Sequence, residues 1–166
     1  MRKSGILMHL ASLPSEYGVG TMGAAARKFA DFLSDAGQQY WQILPLGPTG
    51  YGDSPYQSVS TFAGNPYFIS LEDLIEEKLL TREACESCES YVDYEKMYMS
   101  RYKLLRKAYE RSDFLKDKDY EIFLKEEKNW LTDYCLFMAI KNSQKGICWI
   151  DWPDELKDRH SKAVKE

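Results

Sequence analysis

Apolar residues form two continuous runs near the start of the chain, at residues 5–10 and 40–46. Continuous apolar runs of this length are typical of strands buried on both faces. Between them, residues 21–36 place apolar side chains on one helical face, with Thr21 as the expected N-terminal cap and Gly37 as the C-terminal stop. A strand, a helix and a second buried strand in this order predict a parallel βαβ unit.

After residue 69, helical patterns replace strand patterns. Ser70 and Asp73 predict a capping box for a short helix over residues 70–80. Thr81 can start a further helix over residues 81–88.

The later part of the chain carries apolar residues at helical spacing over residues 96–140, which predicts two amphipathic helices. Residues 142–146 interrupt the second of these, and Pro153 opens a last helix. We therefore expect two parts: residues 1–69 form the βαβ unit with the loop that follows it, and residues 70–166 form a mainly helical subdomain.

The segment at residues 47–67, called the aromatic loop below, shows neither helical nor strand periodicity. It contains four glycines and three prolines interleaved with four aromatic residues. Long connections without regular structure are usually functional or disordered, and aromatic residues argue against disorder. We expect a stiff loop that displays tyrosine faces beside small polar groups, which suits a sugar because its C–H faces stack on aromatic rings. The alternative is a rigid loop whose tyrosines pack on the body of the protein.

The charge pattern argues against nucleic acid and anionic membranes as partners, because the 166 residues have a net charge of −4 and no basic block. No apolar run approaches the roughly 18 residues that span a bilayer. The N-terminal run lacks the features of a signal peptide, since His9 interrupts it and no small-residue cleavage site follows. We therefore expect a cytoplasmic protein.

Two motifs could hold a metal or a cofactor. Cys85 and Cys88 form a lone CxxC, while a structural zinc site usually needs a second close pair, so we expect reduced thiols and no metal. The sequence GVGTMG at residues 18–23 matches a dinucleotide fingerprint, which would suggest a nicotinamide-dependent oxidoreductase. However, seven residues separate it from the first strand, and no acidic residue ends the second strand. We therefore expect no cofactor.

The candidate catalytic groups are few. His9 follows the first strand, where barrel active sites gather, and both a structural role and a substrate contact are open. Asp53 is the only acid in the aromatic loop. Two-step glycoside chemistry needs a nucleophile and an acid/base about 5–5.5 Å apart, so one carboxylate is not enough.

Because two parallel strands do not make a stable sheet alone, we expect the opening portion of a longer protein.

Four segments of the chain resemble the amylomaltases, which are 4-alpha-glucanotransferases also called disproportionating enzymes. These segments are GILMHLASLPSEYGVGTMG, YWQILPLGPTGYGDSPYQSVSTFAGNPY, VDYEKMY and WLTDYCLFMAIK. The resemblance implies an α/β fold that begins a (β/α)8 TIM barrel, with this chain supplying the first two strands and an inserted helical subdomain. It also implies transfer of a 1,4-alpha-D-glucan segment to an acceptor glucan or glucose by a retaining double displacement.

The resemblance further implies that this chain supplies binding residues only. The family's catalytic aspartate, its acid/base glutamate and a second aspartate lie on later barrel strands, so we expect them beyond Glu166 and expect residues 1–166 alone to be inactive. The expected contacts with alpha-1,4-glucan oligosaccharides are Tyr51, Asp53, Ser54, Tyr56 and Tyr98. A structural role for Asp53, which would hold the Gly-rich turn through its carboxylate, is equally open. Tyr56 resembles the ring that stacks near the cleaved bond. The alternative function is a non-catalytic alpha-glucan-binding module.

Overall fold

The computed structural model describes residues 2–50, 52–85, 91–160 and 162–164. Within these residues, the regular structure consists of two strands and six α-helices, joined by short 3-10 segments. In chain order the elements are β1 (Gly5–Leu7), α1 (Ala24–Asp35), β2 (Tyr40–Gln42), α2 (Leu71–Glu76), α3 (Tyr94–Arg111), α4 (Lys118–Glu126), α5 (Lys128–Ser143) and α6 (Asp154–Lys157).

The two strands pair in parallel, as predicted, with Gly5 opposite Tyr40 and α1 as the crossover. A glycine is needed at this position because a Cβ on Gly5 would lie 2.5 Å from the Tyr40 carbonyl oxygen. The indole of Trp41 donates to the Met8 carbonyl oxygen at 2.8 Å and extends the pairing past β1. As regular strands, β1 ends at Leu7 and β2 at Gln42, which is three and four residues before the ends of the two apolar runs.

The prediction that these strands are buried on both faces is wrong for this chain. The side chains of Ile6 and Leu7 are 40% and 57% exposed, because a two-stranded sheet leaves strand edges and one face uncovered. Buried apolar side chains form separate clusters instead, one between α2 and α3 and another where the turn after β1 meets α1. The second of these clusters contains Leu10, Leu13, Ala26 and Phe68.

The sequence predicts the C-terminal end of α1 correctly and its N-cap wrongly. Gly37 has a φ of 69° and forms the predicted C-terminal stop. The N-cap is Gly23 rather than Thr21, and no side chain caps this end. Thr21 is buried instead. In the same segment, a Cβ on Gly20 would lie 2.1 Å from the Leu10 carbonyl oxygen, so close packing accounts for this glycine of the GVGTMG motif.

Helix α2 begins as predicted, because the hydroxyl oxygen of Ser70 accepts from the Asp73 amide at 3.0 Å. It ends at Glu76, before the predicted end near Leu80, and Lys78 then adopts a positive φ of 63°. The helix predicted from Thr81 is a 3-10 turn over Arg82–Ala84, and residues 86–90 lie outside the described residues.

Residues 94–143 form three helices, rather than the two predicted over residues 96–140. The chain leaves α3 after Arg111, and Asp117 then caps α4 by accepting from the Asp119 amide at 2.9 Å. Helix α5 ends at Ser143, where the sequence predicts a break, and Pro153 precedes α6 as predicted. The additional division lies at Glu127, which is both the C-cap of α4 and the N-cap of α5 and interrupts the second predicted helix.

The described residues divide into two compact units, Met1–Phe114 and Leu115–Glu166. In the first unit, Arg101 of α3 is almost fully buried and donates to the carbonyl oxygens of Tyr17 at 2.9 Å and Ile69 at 3.4 Å. Burial lowers the pKa of its guanidinium. The second unit contains α4 to α6, with the rings of Phe137 and Trp152 5.3 Å apart. The predicted division after residue 69 stays a prediction.

Candidate functional site

The aromatic loop begins after β2 and is closed at its base by its own backbone. Thr49 and Ser58 form an isolated antiparallel bridge. Gly47 lies against this bridge so closely that a Cβ there would be 2.5 Å from the Ser58 hydroxyl oxygen. The Ser58 hydroxyl donates to the Ser60 carbonyl oxygen at 2.7 Å, which fixes the position of that hydroxyl. The loop is thus a closed structure, in agreement with the stiff loop predicted from its prolines.

The tip of the loop turns back through a left-handed backbone. Gly52 has a φ of 90°, and Asp53, which is not a glycine, has a φ of 50°. The Asp53 amide donates to the Gly50 carbonyl oxygen at 3.2 Å, and the Thr49 hydroxyl donates to the Asp53 carboxylate at 3.1 Å. Aspartate tolerates this conformation better than most residues because its short side chain can bond locally.

Tyr56 sits on the turn that follows Asp53, and its side chain is 72% exposed. The hydroxyl oxygen of Ser54 accepts from the Tyr56 amide at 3.4 Å, and the Ser54 carbonyl oxygen accepts from the Gln57 amide at 3.1 Å. These bonds hold the backbone of Tyr56 and leave its ring free to stack on a flat ligand. Phe62, farther along the loop, is 71% exposed.

Tyr67, at the end of the loop, is buried rather than displayed, with 5% of its side chain exposed. Its backbone amide donates to the side-chain oxygen of Asn65 at 2.9 Å, and the backbone amide of Asn65 donates to the Leu46 carbonyl oxygen at 2.8 Å. Burial, followed by neighbouring Tyr102 and Asp53, raises the pKa of the Tyr67 phenol. The expectation that the loop displays its tyrosine faces is therefore wrong for Tyr67, which anchors the loop to the protein.

Tyr98 lies on α3 and is 64% exposed. Its ring meets the ring of Tyr102 edge-on at 6.2 Å between centroids, and Tyr102 lies 5.9 Å from Tyr67. A row of three rings therefore runs from the buried end of the aromatic loop to the surface of α3. The structure places Tyr98 in the same compact unit as Asp53, Ser54 and Tyr56.

A recess lies beneath the aromatic loop, and polar groups line part of it. The polar side chains there are those of His9, Thr49, Asp53, Asn65, Tyr67 and Tyr94. Burial, together with the nearby charge of Asp53, raises the pKa of Tyr94. Sequence reasoning did not select Tyr94 or Asn65 as site residues.

His9 enters this recess from the turn after β1. Its ring meets Phe68 edge-on at 5.6 Å, and its Nδ1 atom is buried with no hydrogen-bond partner among the described residues. Desolvation by burial lowers the pKa of the imidazole, which favours the neutral ring. The sequence left His9 open between a structural role and a substrate contact, and its place beside the aromatic loop is compatible with both.

Several predictions concern residues or groups away from this recess. Tyr51, expected to contact the glucan, lies outside the described residues, as does Cys88 of the CxxC motif. Among the residues that are described, no three or more His, Cys, Asp or Glu side chains group as metal ligands. Cys85 is buried, and that burial raises the pKa of its thiol. None of the described helices is long and apolar enough to cross a membrane.

Comparison with known proteins matches this chain along nearly its whole length. The sequence model of the family described as 4-alpha-glucanotransferase matches residues 8–166. A 4-alpha-glucanotransferase of Clostridium butyricum is 46% identical over 164 residues, which cover 96% of this chain and 34% of that protein. One from Streptococcus pneumoniae is 48% identical over 171 residues, covering 99% of this chain and 34% of that protein.

A solved structure extends the likeness to the fold. An amylomaltase from Streptococcus agalactiae in complex with acarbose matches with a TM-score of 0.89 and 38% identity, over 99% of this chain and 35% of that chain. With the parallel β1–α1–β2 unit, this match defines the start of a (β/α)8 barrel with an inserted helical subdomain. The chain belongs to the 4-alpha-glucanotransferase family, and it spans about a third of the length of the curated relatives it matches.

Proposed function

We propose that this chain provides the alpha-glucan-binding wall of a 4-alpha-glucanotransferase. The complete enzyme transfers a segment of a 1,4-alpha-D-glucan to an acceptor glucan or glucose by a retaining double displacement. The observation that carries this proposal is the exposed ring of Tyr56, on a hydrogen-bonded turn of the loop that follows the carboxyl end of β2. In barrel enzymes that end of the strands is the catalytic face.

The chemistry of the loop fits a sugar. An exposed aromatic face beside fixed hydroxyl and carboxylate groups offers stacking and hydrogen bonds together. The Ser54 hydroxyl oxygen accepts from the Tyr56 amide, so its hydrogen can be donated to a sugar hydroxyl. Asp53 can accept a second hydrogen bond besides the one from Thr49, because a carboxylate has two oxygens.

We propose the individual roles from the resemblance to the amylomaltases. Tyr56 stacks on the sugar nearest the cleaved bond, and Asp53 and Ser54 contact its hydroxyls. Tyr51 and Tyr98 contact glucan units farther along the groove. The exposure of Tyr98 on α3 supports its role as one of these contacts. The ligands are maltodextrins and glucose, in the cytoplasm, without nucleic acid, membrane, metal or cofactor.

No acid of this chain is assigned to catalysis. The aromatic loop holds one carboxylate, and the reaction needs a nucleophile and an acid/base. We place both in polypeptide beyond Glu166, which is compatible with the chain's span of 34% of its curated relatives. The isolated chain of residues 1–166 is then inactive.

The experiment measures glucose released from maltotriose by the product of the complete reading frame. Tyr56→Ala lowers turnover by about tenfold if stacking holds the reacting sugar. Phe62→Ala is the matched control, because it removes an equally exposed ring from the same loop and leaves turnover unchanged. Equal rates for the Tyr56 variant and the unsubstituted protein would contradict the assignment of Tyr56.

The same experiment distinguishes the alternative, a non-catalytic alpha-glucan-binding module. That alternative rests on the fact that the site residues identified in this chain serve binding. Maltoheptaose binding by the complete product without any glucose release would support the module. Turnover by residues 1–166 alone would overturn the placement of the catalytic acids.

A further inference from the structure

A hydrogen bond between two side chains, those of Thr49 and Asp53, crosses the tip of the aromatic loop. The hydroxyl of Thr49 donates to the Asp53 carboxylate at 3.1 Å, and both side chains are half-buried. Thr49 stands at the antiparallel bridge with Ser58, where the loop closes. Asp53 stands at the left-handed turn just before the segment that carries Tyr56. The bond therefore joins the rigid base of the loop to its strained tip.

The backbone between Asp53 and Tyr56 transmits that constraint over a short distance. Asp53 directly precedes Ser54, whose hydroxyl and carbonyl oxygens accept from the Tyr56 and Gln57 amides. The ring of Tyr56 is 72% exposed, so packing does little to fix its direction. The orientation of the ring then depends on the backbone of the turn, and the turn depends on Asp53 keeping its positive φ.

We infer that Thr49 is a positioning residue for Tyr56, acting through the Asp53 carboxylate. This inference rests on the proposed function of Tyr56 as the stacking ring. The Thr49 hydroxyl holds Asp53 in its left-handed conformation, and the turn at Ser54 then presents the Tyr56 ring to the glucan. Thr49 itself need not touch the sugar. A charge-assisted bond is suited to this task because it is stronger than a bond between neutral groups.

The test uses the product of the complete reading frame and compares Thr49→Val with Thr49→Ser. Valine keeps the shape of threonine and removes the hydroxyl, whereas serine keeps the hydroxyl. We expect Thr49→Val to lower kcat/KM for maltotriose by about tenfold and Thr49→Ser to restore most of it. Thr61→Val, at an exposed threonine of the same loop, is the matched control and leaves kcat/KM unchanged.

A parallel pair of substitutions examines the acceptor. Asp53→Asn keeps an oxygen for Thr49 and a residue that tolerates positive φ, while Asp53→Ala removes both. The hydrogen-exchange rates of the backbone amides at positions 53 and 57 are measured in every variant. We expect faster exchange at both amides in Thr49→Val and Asp53→Ala, and near-normal exchange in Thr49→Ser and Asp53→Asn. Unchanged exchange in Thr49→Val would overturn the inference whatever the activity shows.

A double-mutant cycle separates this inference from the proposed function. If Thr49 acts through Tyr56, adding Thr49→Val to Tyr56→Ala causes little further loss of kcat/KM. Fully additive losses would overturn the positioning role. A normal rate in Tyr56→Ala alone would overturn the proposed function of the ring. A loss in Tyr56→Ala with a normal rate in Thr49→Val would overturn only the inference about Thr49.

Discussion

The aromatic loop and the β1–β2 sheet adjoin each other and are stabilised in different ways. The loop satisfies much of its hydrogen bonding within itself, through the Thr49–Ser58 bridge and the turns at Asp53 and Ser54. Among the residues that the structure describes, the sheet has two strands, and it leaves Ile6 and Leu7 exposed. The loop is thus defined by nearby residues, whereas the two strands keep apolar side chains exposed to solvent.

This difference has a functional meaning. A binding loop that folds on its own hydrogen bonds can present Tyr56 in a fixed direction, and preorganisation of that kind lowers the entropy cost of binding. The exposed strands carry no chemistry of their own. We propose that their part is to place the loop at the catalytic face of a barrel.

The largest expected effect distinguishes the buried turn from the exposed strand beside it. Leu10 is 2% exposed and Leu7 is 57% exposed. In the chain of residues 1–166, Leu10→Ala lowers the free energy of unfolding by about 2–5 kcal/mol because it leaves a cavity. Leu7→Ala changes it by less than about 0.5 kcal/mol. Urea unfolding checks both variants, and equal losses would show that β1 is covered in this chain.

A smaller effect is expected at the base of the aromatic loop. A Cβ on Gly47 would lie 2.5 Å from the Ser58 hydroxyl oxygen, whereas a Cβ on Gly64 would meet nothing within 4 Å. Gly47→Ala lowers the free energy of unfolding by about 1–3 kcal/mol through overpacking. Gly64→Ala, in the same loop, is neutral or slightly stabilising. Thermal unfolding of both variants tests whether the loop is as closed as its hydrogen bonds indicate.

The smallest effect concerns pH and His9. Burial lowers the pKa of this imidazole below its ordinary value of 6.5, so the unfolded chain binds the proton more readily than the folded one. The contribution of neutral His9 to stability is present above pH 6.5 and is lost as the pH falls from 6.5 through the lower pKa of the folded state. His9→Gln removes this dependence. Urea unfolding from pH 7.5 to 5.5 measures the difference, which a flat profile for the unsubstituted protein would contradict.

The sequence allows the parallel pairing and the loop to be predicted because both rest on local signals. Apolar runs with a helix between them indicate a βαβ unit, and Gly37 ends α1 through its positive φ as expected. The same local reasoning misplaces the N-cap of α1, since Thr21 and Gly23 are both acceptable caps and only packing distinguishes them. Thr21 is buried, and Gly23 lies close to Ser70, with its Cβ position 2.6 Å from the Ser70 hydroxyl oxygen.

The composition of the candidate site is less accessible to sequence reasoning. Tyr56 and Tyr67 have the same side chain in the same loop, and nothing in the sequence alone shows that one is 72% exposed and the other 5%. Tyr94 joins the recess from α3, which is distant along the chain. Contacts of that kind depend on how separate elements pack, and they become visible only in three dimensions.

We propose, above all, that the aromatic loop holds an alpha-glucan through the ring of Tyr56. The most direct measurement is a crystal structure of the product of the complete reading frame with maltoheptaose bound. We expect a glucose ring stacked on Tyr56, with hydroxyls within hydrogen-bond distance of Ser54 and Asp53. A glucan bound elsewhere, with Tyr56 packed against the protein and no sugar against its ring, would contradict the claim.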